Sequence, residues 1–139
     1  LGRAQVEAWG QPKYLKGRGY VNDISSQACI FCKIARGELP ATVVHDEADL
    51  LAFRDLSPQS PQHTLLIPRK HIASLDDLDE DDGDLIGRLM LAARDLARRQ
   101  GLAEAGYRLV TNVGADGGQS VGHLHLHLLG GRPLSWPPG

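Results

Sequence analysis

The chain has 139 residues, 42% hydrophobic and 23% charged, with a formal net charge of −2, which suits one domain with its own core. That balance excludes a general electrostatic grip on nucleic acid or an anionic membrane surface, but a local phosphate site needs only a few groups and stays open. No apolar run approaches the ~20 residues of a membrane span, and no basic-then-apolar leader is seen at the amino end; with Cys29 and Cys32 as the two cysteines, a reducing, cytoplasmic compartment is expected.

In chain order, residues 1–27 show no period and read as a loosely ordered extension, followed by one domain over 28–139. Ser25 and Ser26 are positioned to cap a short helix over about Ala28–Ala35, which Gly37 and Pro40 stop. Val43–His45, Leu50–Phe53 and Thr64–Ile67 read as strands. Between the second and third, Asp55–Pro61 is a turn-rich loop. A long amphipathic helix follows an acidic stretch over Asp79–Asp84. Its apolar face carries Leu85, Ile86, Leu89, Met90, Ala93, Leu96 and Ala97, its end carries Arg94, Arg98 and Arg99, and Gly101 stops it. Tyr107–Thr111 and Val121–Leu129 are the fourth and fifth strands, joined by a polar, glycine-rich loop over Asn112–Ser120. Short links between neighbouring strands favour antiparallel pairing, so an α+β fold with a five-stranded, mainly antiparallel sheet is expected.

Three of the six histidines alternate within the fifth strand, at His123, His125 and His127. Strand periodicity puts them on one face, starting roughly 6.6 Å apart, with Leu124, Leu126 and Leu128 opposite and turned toward the long helix. Three readings compete: satisfied core or surface histidines, a metal-binding face, and nucleophilic catalysis. A neutral imidazole can attack phosphorus without prior activation. The loop Gly114-Ala115-Asp116-Gly117-Gly118-Gln119-Ser120 lacks the ending of a Walker loop. Its glycines nevertheless let backbone N–H groups approach an anion, and Gln119 and Ser120 add side-chain donors.

The ordered set of motifs resembles the histidine triad (HIT) superfamily and, within it, the Hint branch of histidine-triad nucleotide-binding proteins. The matching stretches run from Cys29 to the end. They include Ile30-Phe31-Cys32-Lys33-Ile34, Leu51 to Gln59, His63, Ile67 to Ile72, Asn112, Asp116 to Val121, the triad, and Trp136-Pro137-Pro138-Gly139. The resemblance implies a purine nucleoside phosphoramidase, a hydrolase that acts through a nucleotidyl-histidine and yields AMP or GMP. His125 would be the nucleophile. His127 and the backbone of Gly118–Ser120 would hold phosphate oxygens, and Ser120 and His63 would assist the leaving group and the proton traffic. Asp55 would bind the ribose, and Ile30, Phe31, Ile34, Phe53, Leu56 and Leu65 would enclose the base. Asn112 would support the loop that includes Gln119. The resemblance also implies a homodimer in which the tail at Trp136 reaches toward the partner's site. Other branches of the superfamily bind zinc at positions that correspond here to Cys29, Cys32, His71 and His123. That set would be a closed structural site; the competing reading is a pair of reduced, buried thiols. No organic cofactor is expected. Cleavage of dinucleoside polyphosphates, nucleotidyl transfer, and a nucleotide-binding scaffold with little turnover are the rival functions. Gly122, before the triad, replaces a bulkier aromatic common in animal members of the branch, which bears on leaving-group preference.

Overall fold

The computed structural model describes residues 27–139. The first 26 residues, including Ser25 and Ser26 and nearly all of the expected extension, lie outside the described residues. The elements are helix α1 (Ile30–Ala35), strands β1 (Val43–Asp46), β2 (Leu50–Arg54) and β3 (Gln62–Pro68), helix α2 (Gly83–Arg99), and strands β4 (Tyr107–Val110) and β5 (Leu126–Gly130). Two single 3₁₀ turns, Leu75–Asp77 and Glu80–Asp82, precede α2. The five strands form one sheet in the order β1-β2-β3-β5-β4, every neighbouring pair antiparallel, and the expected α+β class is the observed one.

Side-chain alternation gives the sheet two apolar faces. Leu50, Ala52, Leu66 and Leu128 face α2, where they meet Leu89, Ala92, Ala93, Leu96 and Ala97. Leu51, Phe53, Leu65 and Ile67 face the other way, against Phe31, Cys32 and Ile34 of α1 and against Val121. The helix α2 ends as its sequence suggests. Gly101, at φ +75°, turns the chain, and its N–H bonds the Arg98 carbonyl while that of Leu102 bonds the Ala97 carbonyl, which satisfies two of the helix's open acceptors. Met90, expected on the buried face, is about half exposed, with Ala92 taking the inward position instead.

Two boundaries differ from the sequence reading for identifiable reasons. The cap of α1 is Cys29, whose thiol accepts the Cys32 N–H, and the helix starts at Ile30 rather than Ala28. The fifth strand starts at Leu126 rather than Val121. Leu66 pairs with Leu126, so continuing that antiparallel register would set Pro68 opposite Leu124, and proline has no N–H to give a ladder. The Leu124 N–H turns instead to the Ile72 carbonyl, at 2.6 Å. His123 and His125 therefore stand ahead of the strand, and only His127 lies within it.

Leu66 is fully buried between the sheet and α2. Leu66→Ala is expected to lower the unfolding free energy by about 2–5 kcal/mol, since truncation of a core leucine removes transfer energy and leaves a cavity. Urea denaturation followed by circular dichroism measures this; a loss within the noise would mean that the α2 side is not a packed core.

Candidate active site and metal site

The amino end of α1 brings Cys29 and Cys32 to one turn, and the segment after β3 and the approach to β5 bring His71 and His123 against them. Cys29 Sγ lies 3.3 Å from His123 Nδ1. Cys32 Sγ lies 3.2 Å from His71 Nδ1 and 3.5 Å from His123 Nδ1. All four donor atoms fall within 4.8 Å of one another. Tetrahedral zinc with sulfur at ~2.3 Å and nitrogen at ~2.0–2.1 Å would set its S···N edges at roughly 3.5 Å, so the spacing fits that ion. The His123 ring is oriented for it, because Nε2 donates to the Pro68 carbonyl at 2.8 Å and Nδ1 is left as a lone pair facing the sulfurs. No disulfide joins the two thiols. The hydrogen bond from Cys29, followed by those from His123 and His71, holds Cys32 below the ordinary thiol range, and that same bond together with burial pushes Cys29 above it.

The middle histidine is fixed by its neighbour's backbone. His125 Nδ1 donates to the His123 carbonyl at 2.6 Å, which leaves Nε2 unprotonated. The His125 carbonyl is itself held by Thr111 Oγ1 at 3.0 Å. Burial pushes the ring down to about 4, against the opposing backbone bond, so His125 is neutral at ordinary pH. Phe31 stands edge-on to it, with centroids 5.1 Å apart.

The third histidine has the opposite arrangement. His127 Nδ1 lies 2.9 Å from His63 Nε2, and His63 Nδ1 accepts the Gln59 backbone N–H at 2.9 Å. Asp55 Oδ2 lies 3.4 Å from the same His63 nitrogen, and Asp55 Oδ1 accepts the Ser57 N–H. Burial lowers both rings, His127 down to about 2 with help from His125 and His63, and His63 against the pull of Asp55. Asp55, His63 and His127 also present metal-ligand atoms to one another, but the 2.9 Å contact between the rings is a hydrogen-bond length. His127 Nε2 and Ser120 Oγ are buried without a hydrogen-bond partner. Water or a bound group can complete the bonding of such atoms.

The glycine-rich segment is a tight, internally held loop. Gly118 adopts φ +75°, and a Cβ on Gly117 would come within 2.4 Å of the Val113 carbonyl oxygen, so a side chain there requires the backbone to move. The Gln119 amide donates to the carbonyls of Ala73 and Val121 at 2.7 and 2.9 Å and accepts the Gly114 N–H. It ties the loop to the segment after β3.

Of the apolar residues marked in the sequence, Phe31, Ile34, Phe53 and Leu65 are buried in one cluster, with Ile30 at its margin. Leu56 stands apart, exposed on the loop after β2. Asn112, His63, His127 and Trp136 border one cavity of about 630 Å³, together with Gln59 and Arg108. His125 lies one ring deeper, 4.9 Å from His127 between centroids. Trp136 is 79% exposed; Arg108 lies 6.0 Å from its ring and donates to the Ser135 carbonyl, so the tail runs beside its own chain's cavity. The sequence reading missed Pro68, Thr111 and the Gln59 N–H. The first two carry a weak signal, a proline closing an apolar strand and a threonine closing the next, but a backbone N–H carries none.

Fold and site together define an antiparallel α+β domain of the histidine-triad type, with three successive alternate histidines held by three different partners. The sequence model of the HIT domain matches residues 36–134. An uncharacterised HIT-like protein of Synechococcus elongatus is 50% identical over 82% of this chain and 99% of its own length. The crystal structure of a HIT family hydrolase from Legionella pneumophila is 57% identical, with a TM-score of 0.79 over 80% of this chain and 99% of that one. A histidine triad nucleotide-binding protein from Candida albicans is 30% identical, with a TM-score of 0.68 over 78% and 82% of the two chains. The chain belongs to the HIT family. Among the described residues, no helix is long and apolar enough to cross a membrane.

A ring kept neutral by burial takes up a proton once unfolded below its ordinary value near 6.5, so acid favours the unfolded chain. For His127, the stability lost between about pH 7.5 and about pH 5 is expected to reach about 2 kcal/mol. Denaturation of the wild type and His127→Gln across that range should give a shallower acid loss for the variant; equal losses would mean that His127 takes up its proton as readily in the fold as in the unfolded chain.

Proposed function

We propose that this protein is a purine nucleoside 5′-phosphoramidase. The observation that carries the reading is the tautomer of His125: its Nδ1–H is bound to the His123 carbonyl at 2.6 Å, and its neutral Nε2 is free to act. That nitrogen attacks the α-phosphorus of a nucleoside 5′-phosphoramidate, the P–N bond breaks, and the leaving nitrogen takes a proton that Ser120 hands on from solvent, so that it departs as the free amine. Water then cleaves the nucleotidyl-histidine and releases the nucleoside monophosphate. Two unpartnered donors, His127 Nε2 and Ser120 Oγ, serve the phosphoryl group: His127 holds an oxygen, and Ser120 assists the leaving nitrogen. His63 supports His127. Gly118 and Gln119 spend their backbone N–H groups inside the loop, on the Ala115 and Gly114 carbonyls, so the loop is shaped to present Ser120, with the Gln119 side chain and Asn112 supporting it. Asp55, with two acceptor oxygens, takes the ribose hydroxyls. Ile30, Phe31, Ile34, Phe53, Leu56 and Leu65 accommodate the base, and Trp136 borders the leaving-group side. Working as a homodimer in the cytoplasm completes the reading.

The donor set of Cys29, Cys32, His71 and His123 suits one structural zinc ion. Bound there, zinc would tie α1 to the segment that carries the triad. All four ligand positions are protein atoms, so the ion supplies stability and no open coordination site.

Two measurements test the reading. Mass spectrometry of protein quenched during turnover of adenosine 5′-phosphoramidate should find one adenylyl group on His125. In His125→Ala the adduct should vanish and kcat/KM should fall by at least about 10³-fold. Retained activity would remove His125 as nucleophile; preference for a diadenosine polyphosphate would move the assignment to a different reaction. For the metal, elemental analysis should find one zinc per chain, lost in Cys32→Ser together with several degrees of Tm. An unaltered Tm with no bound metal would leave the pair as plain buried thiols.

A further inference from the structure

The hydrogen bonds around His63 have one consistent assignment of protons. The Gln59 backbone N–H points at His63 Nδ1, at 2.9 Å, and a backbone amide only donates. Nδ1 is therefore a lone pair, and the proton of the neutral ring sits on Nε2. Facing Nε2 are His127 Nδ1 at 2.9 Å and Asp55 Oδ2 at 3.4 Å; the nearer acceptor takes the bond. His127 Nδ1 is then also a lone pair, so the single proton of that ring sits on Nε2, the buried nitrogen with no partner. A backbone amide in the loop after β2 thus dictates, through two rings, which nitrogen of His127 donates.

We propose that His63 is a positioning residue that locks His127 as a permanent hydrogen-bond donor, and that neither ring carries the proton of the reaction. To release the Nε2 proton, His127 would have to gain one at Nδ1 from His63. His63 would have to be refilled at its own Nδ1, and the group there is an amide N–H that does not ionise. The line of hydrogen bonds ends at a donor. His127 therefore holds its proton throughout and stabilises charge on a phosphoryl oxygen by donation alone. Ser60 and Pro61 separate Gln59 from β3 by only two residues, and Arg132 reaches across to the Gln59 carbonyl at 2.8 Å, so the amide is itself held in place. Burial, which keeps His63 neutral against the nearby Asp55 carboxylate, is consistent with this wiring.

The kinetic half of this inference rests on the proposed phosphoramidase reaction; the tautomer half does not. Long-range ¹H–¹⁵N correlation spectra of the unsubstituted protein should show His127 protonated at Nε2 and bare at Nδ1. A His127 protonated at Nδ1, exchanging between tautomers, or charged near neutral pH would overturn the proposal without any substrate being involved. The second arm compares His63→Asn and His63→Gln with His63→Leu. An amide offers one acceptor and one donor but cannot titrate. The better amide variant should keep kcat within about tenfold of wild type, whereas His63→Leu should lose about 10²-fold or more, the scale of a lost oxyanion donor. Amide variants as inactive as His63→Leu, with one limb of the pH–rate profile gone, would assign His63 to acid–base catalysis and overturn the proposal. A wild-type protein that does not turn over the phosphoramidate would instead overturn the functional reading, and the spectra would then decide the wiring alone.

Discussion

His123 is the residue on which the rest of the site depends, because it is used at three atoms in three directions. Its Nε2–H is anchored on the Pro68 carbonyl, its Nδ1 faces the two cysteine sulfurs, and its own carbonyl receives the Nδ1–H of His125. A proline opposite the approach to β5 frees a carbonyl and ends the ladder at the same place. The chain ahead of Leu126 is thereby released from the sheet to make these bonds. An uninterrupted strand would have put its carbonyls into the ladder and left the His125 ring without that acceptor.

Burial keeps His63, His125 and His127 neutral. Each is no more than 4% exposed, and the apolar wall of Phe31, Phe53 and Leu65 lies on their side of the sheet. Charging any one of them there would place a cation in a poorly solvated region beside other rings. The other face of the sheet packs against α2. The sequence–structure relation thus runs from two-faced strands to a desolvated histidine row, and from there to neutral imidazoles.

Much of this was legible in the sequence, for physical reasons that differ by element. α2 was visible because its apolar residues repeat at helical spacing between an acidic approach and a basic end, and the positive-φ stop at Gly101 is a chemical necessity. The triad was visible because alternation at two residues is rare for histidine. The metal-type set was legible only through resemblance, since nothing in the spacing of Cys29, Cys32, His71 and His123 says that three separate segments meet. The boundary of β5 was misjudged because apolar alternation continues through Val121–Leu129 while the hydrogen-bonding partner runs out at Pro68. Met90 was misjudged because an apolar arc on a helix is wider than the face its sheet can cover.

The two histidines at the heart of the site, His125 and His127, are chemically identical and two residues apart, yet they present the same nitrogen, Nε2, in opposite protonation states. The difference lies in what touches Nδ1. At His125 the partner is a carbonyl, an acceptor, so the proton is drawn to Nδ1 and Nε2 is a bare lone pair. At His127 the partner is His63, made a donor by the Gln59 N–H behind it, so the proton is driven to Nε2. Neither assignment requires a charged group, and both originate in backbone atoms, which no substitution short of proline removes. A sequence can therefore announce that histidines of this spacing will meet, but the division of labour between them is written in the fold: in which strand ends early, which loop turns its amide inward, and which carbonyl is left over.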